Sequence, residues 1–73
     1  MPDTYTIHVG TPLRAEWAEW FAGSEILMHE DGTGLIVTEV HDQAMLFGLL
    51  LRVRDLGIPL RGLYPGRGVA RQP

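Results

Sequence analysis

Apolar and polar residues alternate strictly over residues 4–9 (TYTIHV): Tyr5, Ile7 and Val9 fall on one side, Thr4, Thr6 and His8 on the other. A period of two with β-branched enrichment predicts a half-buried strand, ended by Gly10. The period then changes. Leu13, Trp17, Trp20 and Phe21 recur at i, i+4, i+7 and i+8, while Arg14, Glu16 and Glu19 lie off that stripe. This predicts a short amphipathic helix, with Thr11 as its N-cap, Pro12 at its first position and Gly23 as a left-handed C-terminal cap.

Two β-rich runs follow, residues 24–30 (SEILMHE) and 34–40 (GLIVTEV), separated by Asp31-Gly32-Thr33. An Asp-Gly pair between such runs predicts a hairpin. Asp42 stands where an N-cap belongs, and residues 43–56 form the longest expected helix, stopped by Gly57 and Pro59. Residues 58–64 (IPLRGLY) read as a last strand, whose early proline suits an edge or a strand start. The resulting order, βαββαβ, predicts an α+β fold. We expect a ferredoxin-like sandwich, a four-stranded antiparallel sheet with two helices on one face. Residues 1–64 are expected to form a single domain and residues 65–73 (PGRGVARQP) a flexible Pro/Gly/Arg tail.

The long helix carries more apolar surface than one packing face requires. Leu46, Leu49, Leu50, Val53 and Leu56 make a stripe for the sheet, and Met45, Phe47 and Leu51 fall outside its centre. One reading packs Met45 on the Trp17/Trp20 helix and leaves only Phe47 and Leu51 exposed. The other makes Met45, Phe47 and Leu51 a subunit interface, with Gly48 allowing another backbone to approach.

Composition sharpens that second reading. The chain has 73 residues and no cysteine, is 45% apolar and carries a net charge of −3. Domains of about 60 residues bury only roughly 60% of their unfolded surface and are marginal alone. Without cysteine, neither disulfides nor thiolate metal sites can add stability, which leaves oligomerisation or dense aromatic packing. The longest apolar run, residues 44–51, is shorter than the about 20 residues a bilayer span needs. The first residues carry neither a basic region nor an apolar signal core. A soluble cytoplasmic protein with no membrane association is therefore expected. Charge is uneven: residues 1–40 hold seven acidic residues and one arginine, and residues 41–73 hold five arginines and two aspartates. Every cation is arginine. Base composition of the genome accounts for that choice, or the basic part meets the acidic part of a neighbouring copy.

Candidate chemistry is sparse. Strand parity places His8, His29, Glu39 and Arg61 on the sheet face without helices, where they would form a polar ligand site or a weak metal site; the alternative is that the histidines are scattered surface residues. No pair of histidines has ligand spacing within one element, so neither a metal nor another cofactor is expected. His41 precedes the long helix. GxSxG, CxxC, P-loop and HExxH patterns are all missing, and nothing positive marks an enzyme. Gly66-Arg67-Gly68 occurs once in an acidic chain, so nucleic-acid binding through Arg61, Arg67 and Arg71 is the least supported class. Asp42 is explained by capping, and Gln43 beside it is free to bond a ligand or the hairpin.

The sequence resembles a family of small uncharacterised bacterial proteins found in actinobacteria and similar lineages. The residues that carry the resemblance are Trp17, Trp20, Phe21 and Gly23 (WF-x-G); Glu30, Asp31, Gly32 and Thr33 (E-D-G-T); and Asp42, Gln43, Ala44, Leu46, Gly48, Leu50, Arg54, Asp55, Leu56 and Gly57 (DQA-x-L-x-G-x-L-x-x-x-R-D-L-G). It runs over residues 4–64. Family members often have histidine where this chain has Phe47, so no role of that histidine transfers. The resemblance implies the fold and register but no activity. Expected function is a non-catalytic, self-associating binding module, a dimer or larger homo-oligomer with a protein or small-molecule partner. The alternatives are a small dimeric ferredoxin-like enzyme, or a small-molecule-sensing domain of the ACT type, with its site on the open sheet face.

Overall fold

In the computed structural model, which describes residues 3–21 and 23–67, the alternating segments become strands: β1 (Asp3–Val9), β2 (Glu25–Met28), β3 (Gly34–Val40) and β4 (Leu60–Pro65). They form one sheet of order β2-β3-β1-β4 in which each neighbouring pair is antiparallel. Register follows the hydrophobic pattern, because a one-residue slip would turn every side chain to the wrong face. Ile7 lies opposite Ile36, which lies opposite Ile26, so one face is aliphatic from β1 to β2. On the other face Thr6 pairs with Val37 and His8 with Leu35.

The aliphatic face is covered by α1 (Gln43–Asp55) and by the segment between β1 and β2. Ile7, Val9 and Ile36 meet Phe21, Val53 and Ile58 in the core, with Trp17, Leu49 and Leu50 packed around them. Helix α1 begins as its sequence predicts: the Asp42 carboxylate accepts the Met45 N–H at 2.8 Å, and Gly57 turns the chain out at φ +77°. In the hairpin between β2 and β3, Gly32 takes φ +90°, a left-handed conformation that favours glycine.

The expected first helix does not form. Among the described residues, 43–55 is the one α-helix, and residues 11–23 contain only a five-residue 3-10 turn, Ala15–Glu19. Thr11 is not its cap. The Thr11 carbonyl accepts the Gly34 N–H at 2.9 Å and so extends the sheet past β1. The chain remains extended to Arg14 (φ −93°, ψ 166°), which caps nothing with its side chain. Leu13 is held against Gly34, where an added Cβ would collide with the Leu13 side chain. Sheet pairing and the anchoring of Leu13 thus consume the first turn, and what remains is too short to be a stable α-helix in its own right. Trp17 and Phe21 still reach the core, whereas Trp20 is 52% exposed.

The boundary expected after residue 64 falls inside β4. Beyond it the Gly66 N–H donates to the Thr4 carbonyl, the Thr6 hydroxyl donates to the Gly66 carbonyl, and Arg67 pairs with Glu25 at 2.7 Å. This contact lies across the open sheet face and explains how Thr6 and Val37 are buried there without a helix. Residues 68–73, including Arg71, lie outside the described residues. No helix among the described residues is long and apolar enough to cross a membrane.

Candidate functional site

The polar cluster grows from the end of the sheet where β1, the hairpin and β4 meet. His8 points to the open face and is buried beside Leu35. Its Nε2 lies 2.7 Å from the Thr33 hydroxyl. That hydroxyl has one proton, which it donates to Asp31 Oδ1 at 2.5 Å. It must therefore accept from His8, which fixes the Nε2–H tautomer and leaves the Nδ1 lone pair free. The Thr33 N–H also donates to Asp31 Oδ1, at 3.0 Å. The result is a directed relay from imidazole to hydroxyl to carboxylate.

His29, just after β2, stacks on His8 with ring centroids 4.6 Å apart and planes inclined by 17°. Its Nδ1 lies 3.1 Å from Asp31 Oδ1 and 3.3 Å from the Asp31 backbone N–H. On the far side, Arg61 reaches Asp31 Oδ2 at 3.6 Å. A β-bulge between the β1 and β4 registers sets Arg61 apart from the paired residues there. Gly10 keeps its path open, since a Cβ at that position would meet Arg61 Nε at 3.3 Å.

Three of the four residues expected together on the open face, His8, His29 and Arg61, do converge. Glu39 does not. It shares the face, opposite Thr4, but stands four residues along β3 from the partner of His8, about 13 Å away at the rise of a strand. It lines a separate shallow cleft with Thr4, Glu25, Thr38 and Arg67. Asp31 and Thr33, the centre of the relay, are legible in the sequence only as turn residues; the one signal of a further role is a hydroxyl in the turn beside a histidine. His41 lies beyond the opposite end of β3 and is exposed.

Electrostatics hold the relay in one charge state. Burial lowers the His8 pKa below the usual imidazole value, and the neighbouring His29 and Arg61 push it the same way against the opposing pull of Asp31. The Thr33 hydroxyl and N–H keep the Asp31 carboxyl well below the usual carboxylate range, with His29 adding to the effect. Near neutral pH the pair is therefore neutral imidazole and ionised carboxylate. A histidine pKa depressed by folding means that the unfolded chain binds the extra proton first. Stability is then constant above about pH 6.5 and declines as pH falls from there to the folded value. Denaturant titration should show up to one proton taken up per unfolding chain in that window. His8→Gln, which keeps a donor for Thr33, should flatten the slope; an unchanged slope would place the titrating group elsewhere.

The second candidate surface is apolar. Phe47 is 56% exposed, Leu51 52% and Met45 40%. Phe47 and Leu51 border an open groove of about 730 Å³ between α1 and β4, floored by Val53 and Ile58 and closed by Pro59 and Leu60. Met45 is not among its lining residues.

A family model for a domain of unknown function, DUF8691, matches residues 4–63. The chain belongs to that family. The DUF8691 match spans β1 to most of β4 and so takes in both surfaces. No curated protein and no solved structure matches the chain.

Proposed function

We propose that this DUF8691 domain is a non-catalytic binding module that works as a homodimer, with α1 of one copy packed antiparallel on α1 of the other. The observation that carries this reading is a second apolar stripe on α1. Ala44, Phe47, Gly48 and Leu51 fall at i, i+3, i+4 and i+7, all exposed, on the side opposite buried Leu46 and Val53. That spacing is the seam of a helix that meets another helix.

A second copy suits the stripe because its two large side chains, Phe47 and Leu51, can pair with each other across a two-fold axis. Phe47 and Leu51 stand equally far from residue 49, the midpoint of Gln43–Asp55. A two-fold axis through that point sets Phe47 of each copy against Leu51 of the other, the self-complementarity an isologous interface needs. Gly48, with nothing within 4 Å of its Cβ position, lets the backbones approach closely. The acidic N-terminal end at Asp42 then lies beside the end bearing Arg52 and Arg54, and the helix dipoles oppose.

A standard interface removes about 800 Å² from each partner, about one sixth of the 4950 Å² surface of this chain. A 13-residue helix is about 20 Å long, so the interface extends from α1 over the groove beside it. The strand order β2-β3-β1-β4 supports a ferredoxin-like classification in which the 3-10 turn occupies the place of the first helix. The motif resemblance supports a bacterial source. Sedimentation at micromolar concentration should give a particle of twice the 8.1 kDa chain mass. A particle of the single-chain mass throughout that range would overturn the reading.

A further inference from the structure

We propose that His8, His29 and Asp31 form a binding site for a divalent transition-metal cation of the zinc type, with Thr33 as the residue that orients them. Each of the three offers one donor atom, and these atoms lie within 4.8 Å of one another. Two imidazoles and a carboxylate are the nitrogen and oxygen donors that suit zinc and its neighbours better than calcium or magnesium.

The distances favour such an ion. Donors at about 2.0–2.2 Å from a tetrahedral zinc stand roughly 3.2–3.6 Å from each other. His29 Nδ1 and Asp31 Oδ1 are already 3.1 Å apart; an ion on them displaces the Asp31 N–H from Nδ1 and competes with the two Thr33 bonds for Oδ1. Closing the set to His8 asks for less than about 2 Å of movement on the same bond lengths, and His29 and Asp31 are both partly solvent-exposed and able to rotate.

Thr33 has the part usually taken by groups behind the ligands: it bonds the His8 ring at Nε2 and fixes the Asp31 carboxylate through two bonds to Oδ1. The opposing group is Arg61, whose guanidinium lies 3.6 Å from Asp31 Oδ2 and repels a cation. A bound ion would pin the hairpin to β1. Three protein donors also leave a position of a tetrahedral ion to water.

Zinc titration of the full chain, followed by calorimetry and by histidine NMR, tests the site. One equivalent should bind, with the imidazole signals of His8 and His29 moving together and that of His41 unmoved. His29→Ala and Asp31→Asn should each weaken binding at least tenfold. Both variants are expected to fold. His29 makes its hydrogen bonds within its own turn, and in Asp31→Asn the new amide oxygen can still accept from Thr33. Arg61→Gln should tighten binding, an effect no merely structural role of these residues produces. Zinc that does not bind at millimolar concentration, binds equally well to His29→Ala and Asp31→Asn, or binds more weakly to Arg61→Gln overturns the assignment.

Discussion

Leu51→Arg is expected to separate the two copies while leaving each one folded. The side chain is 52% exposed within one chain, so the substitution costs the isolated fold little, as surface changes generally do. In the proposed dimer it would set a guanidinium against Phe47 of the partner, in the centre of the apolar stripe. A hot-spot residue costs about 2 kcal/mol or more when removed, a guanidinium set against an apolar centre adds an unpaired charge, and two-fold symmetry counts each substitution twice. A loss of about 4 kcal/mol weakens association roughly a thousandfold. Phe47→Glu should act the same way. Sedimentation of both variants should show single chains at concentrations where the parent is paired, with unchanged helical circular dichroism. Dimers that persist in both variants would locate the interface off α1.

Phe21→Ala should unfold the domain or bring it close to unfolding. Phe21 is 1% exposed and, among the described residues, is the largest of the fully buried side chains. It lies in a segment whose one regular element is a 3-10 turn; the Thr11 carbonyl and the Trp20 carbonyl are bonded to Gly34 and Arg52, and Phe21 is the side chain that fastens the segment to the core. Replacing a buried phenylalanine by alanine costs about 3–5 kcal/mol. A domain of this length has about 4–11 kcal/mol of stability in all. Urea titration should therefore show a midpoint lowered by about a quarter or more, or no folded baseline. A shift near that of Trp20→Ala, which removes a half-exposed ring, would mean that the segment is fastened elsewhere.

These two residues show why parts of the fold are legible in the sequence and others are not. Strands and α1 announce themselves by period and by local punctuation: Asp42 caps its own helix, Gly32 turns its own hairpin, Gly57 ends α1. Each is a short-range effect that a sequence contains in full. The first helix fails because its stripe is genuine but its geometry is not local. Thr11 has the composition of an N-cap, yet its carbonyl is claimed by Gly34, 23 residues away. Leu13 likewise is fixed by a contact with that glycine. A helix wheel cannot display either claim.

The open-face site divides in the same manner. Side-chain parity, a local property of strands, is enough to set His8, His29, Glu39 and Arg61 on one face. Position along the strands depends on register and on the β4 bulge, and these bring His8, His29 and Arg61 together while leaving Glu39 at the far end. Asp31 and Thr33 enter through the hairpin fold, where turn chemistry and site chemistry use the same two side chains.

Hydrophobic period, caps and turn residues, all written within a few positions of one another, determined the strands, the long helix and the surplus apolar residues on it. Only the tertiary structure decided that residues 11–23 would not become a helix, that α1 turns an ordered apolar stripe outward, and that two distant histidines stack beside a turn carboxylate. Those outcomes depend on pairing between segments tens of residues apart, where sheet register and competition for backbone hydrogen bonds outweigh local preference.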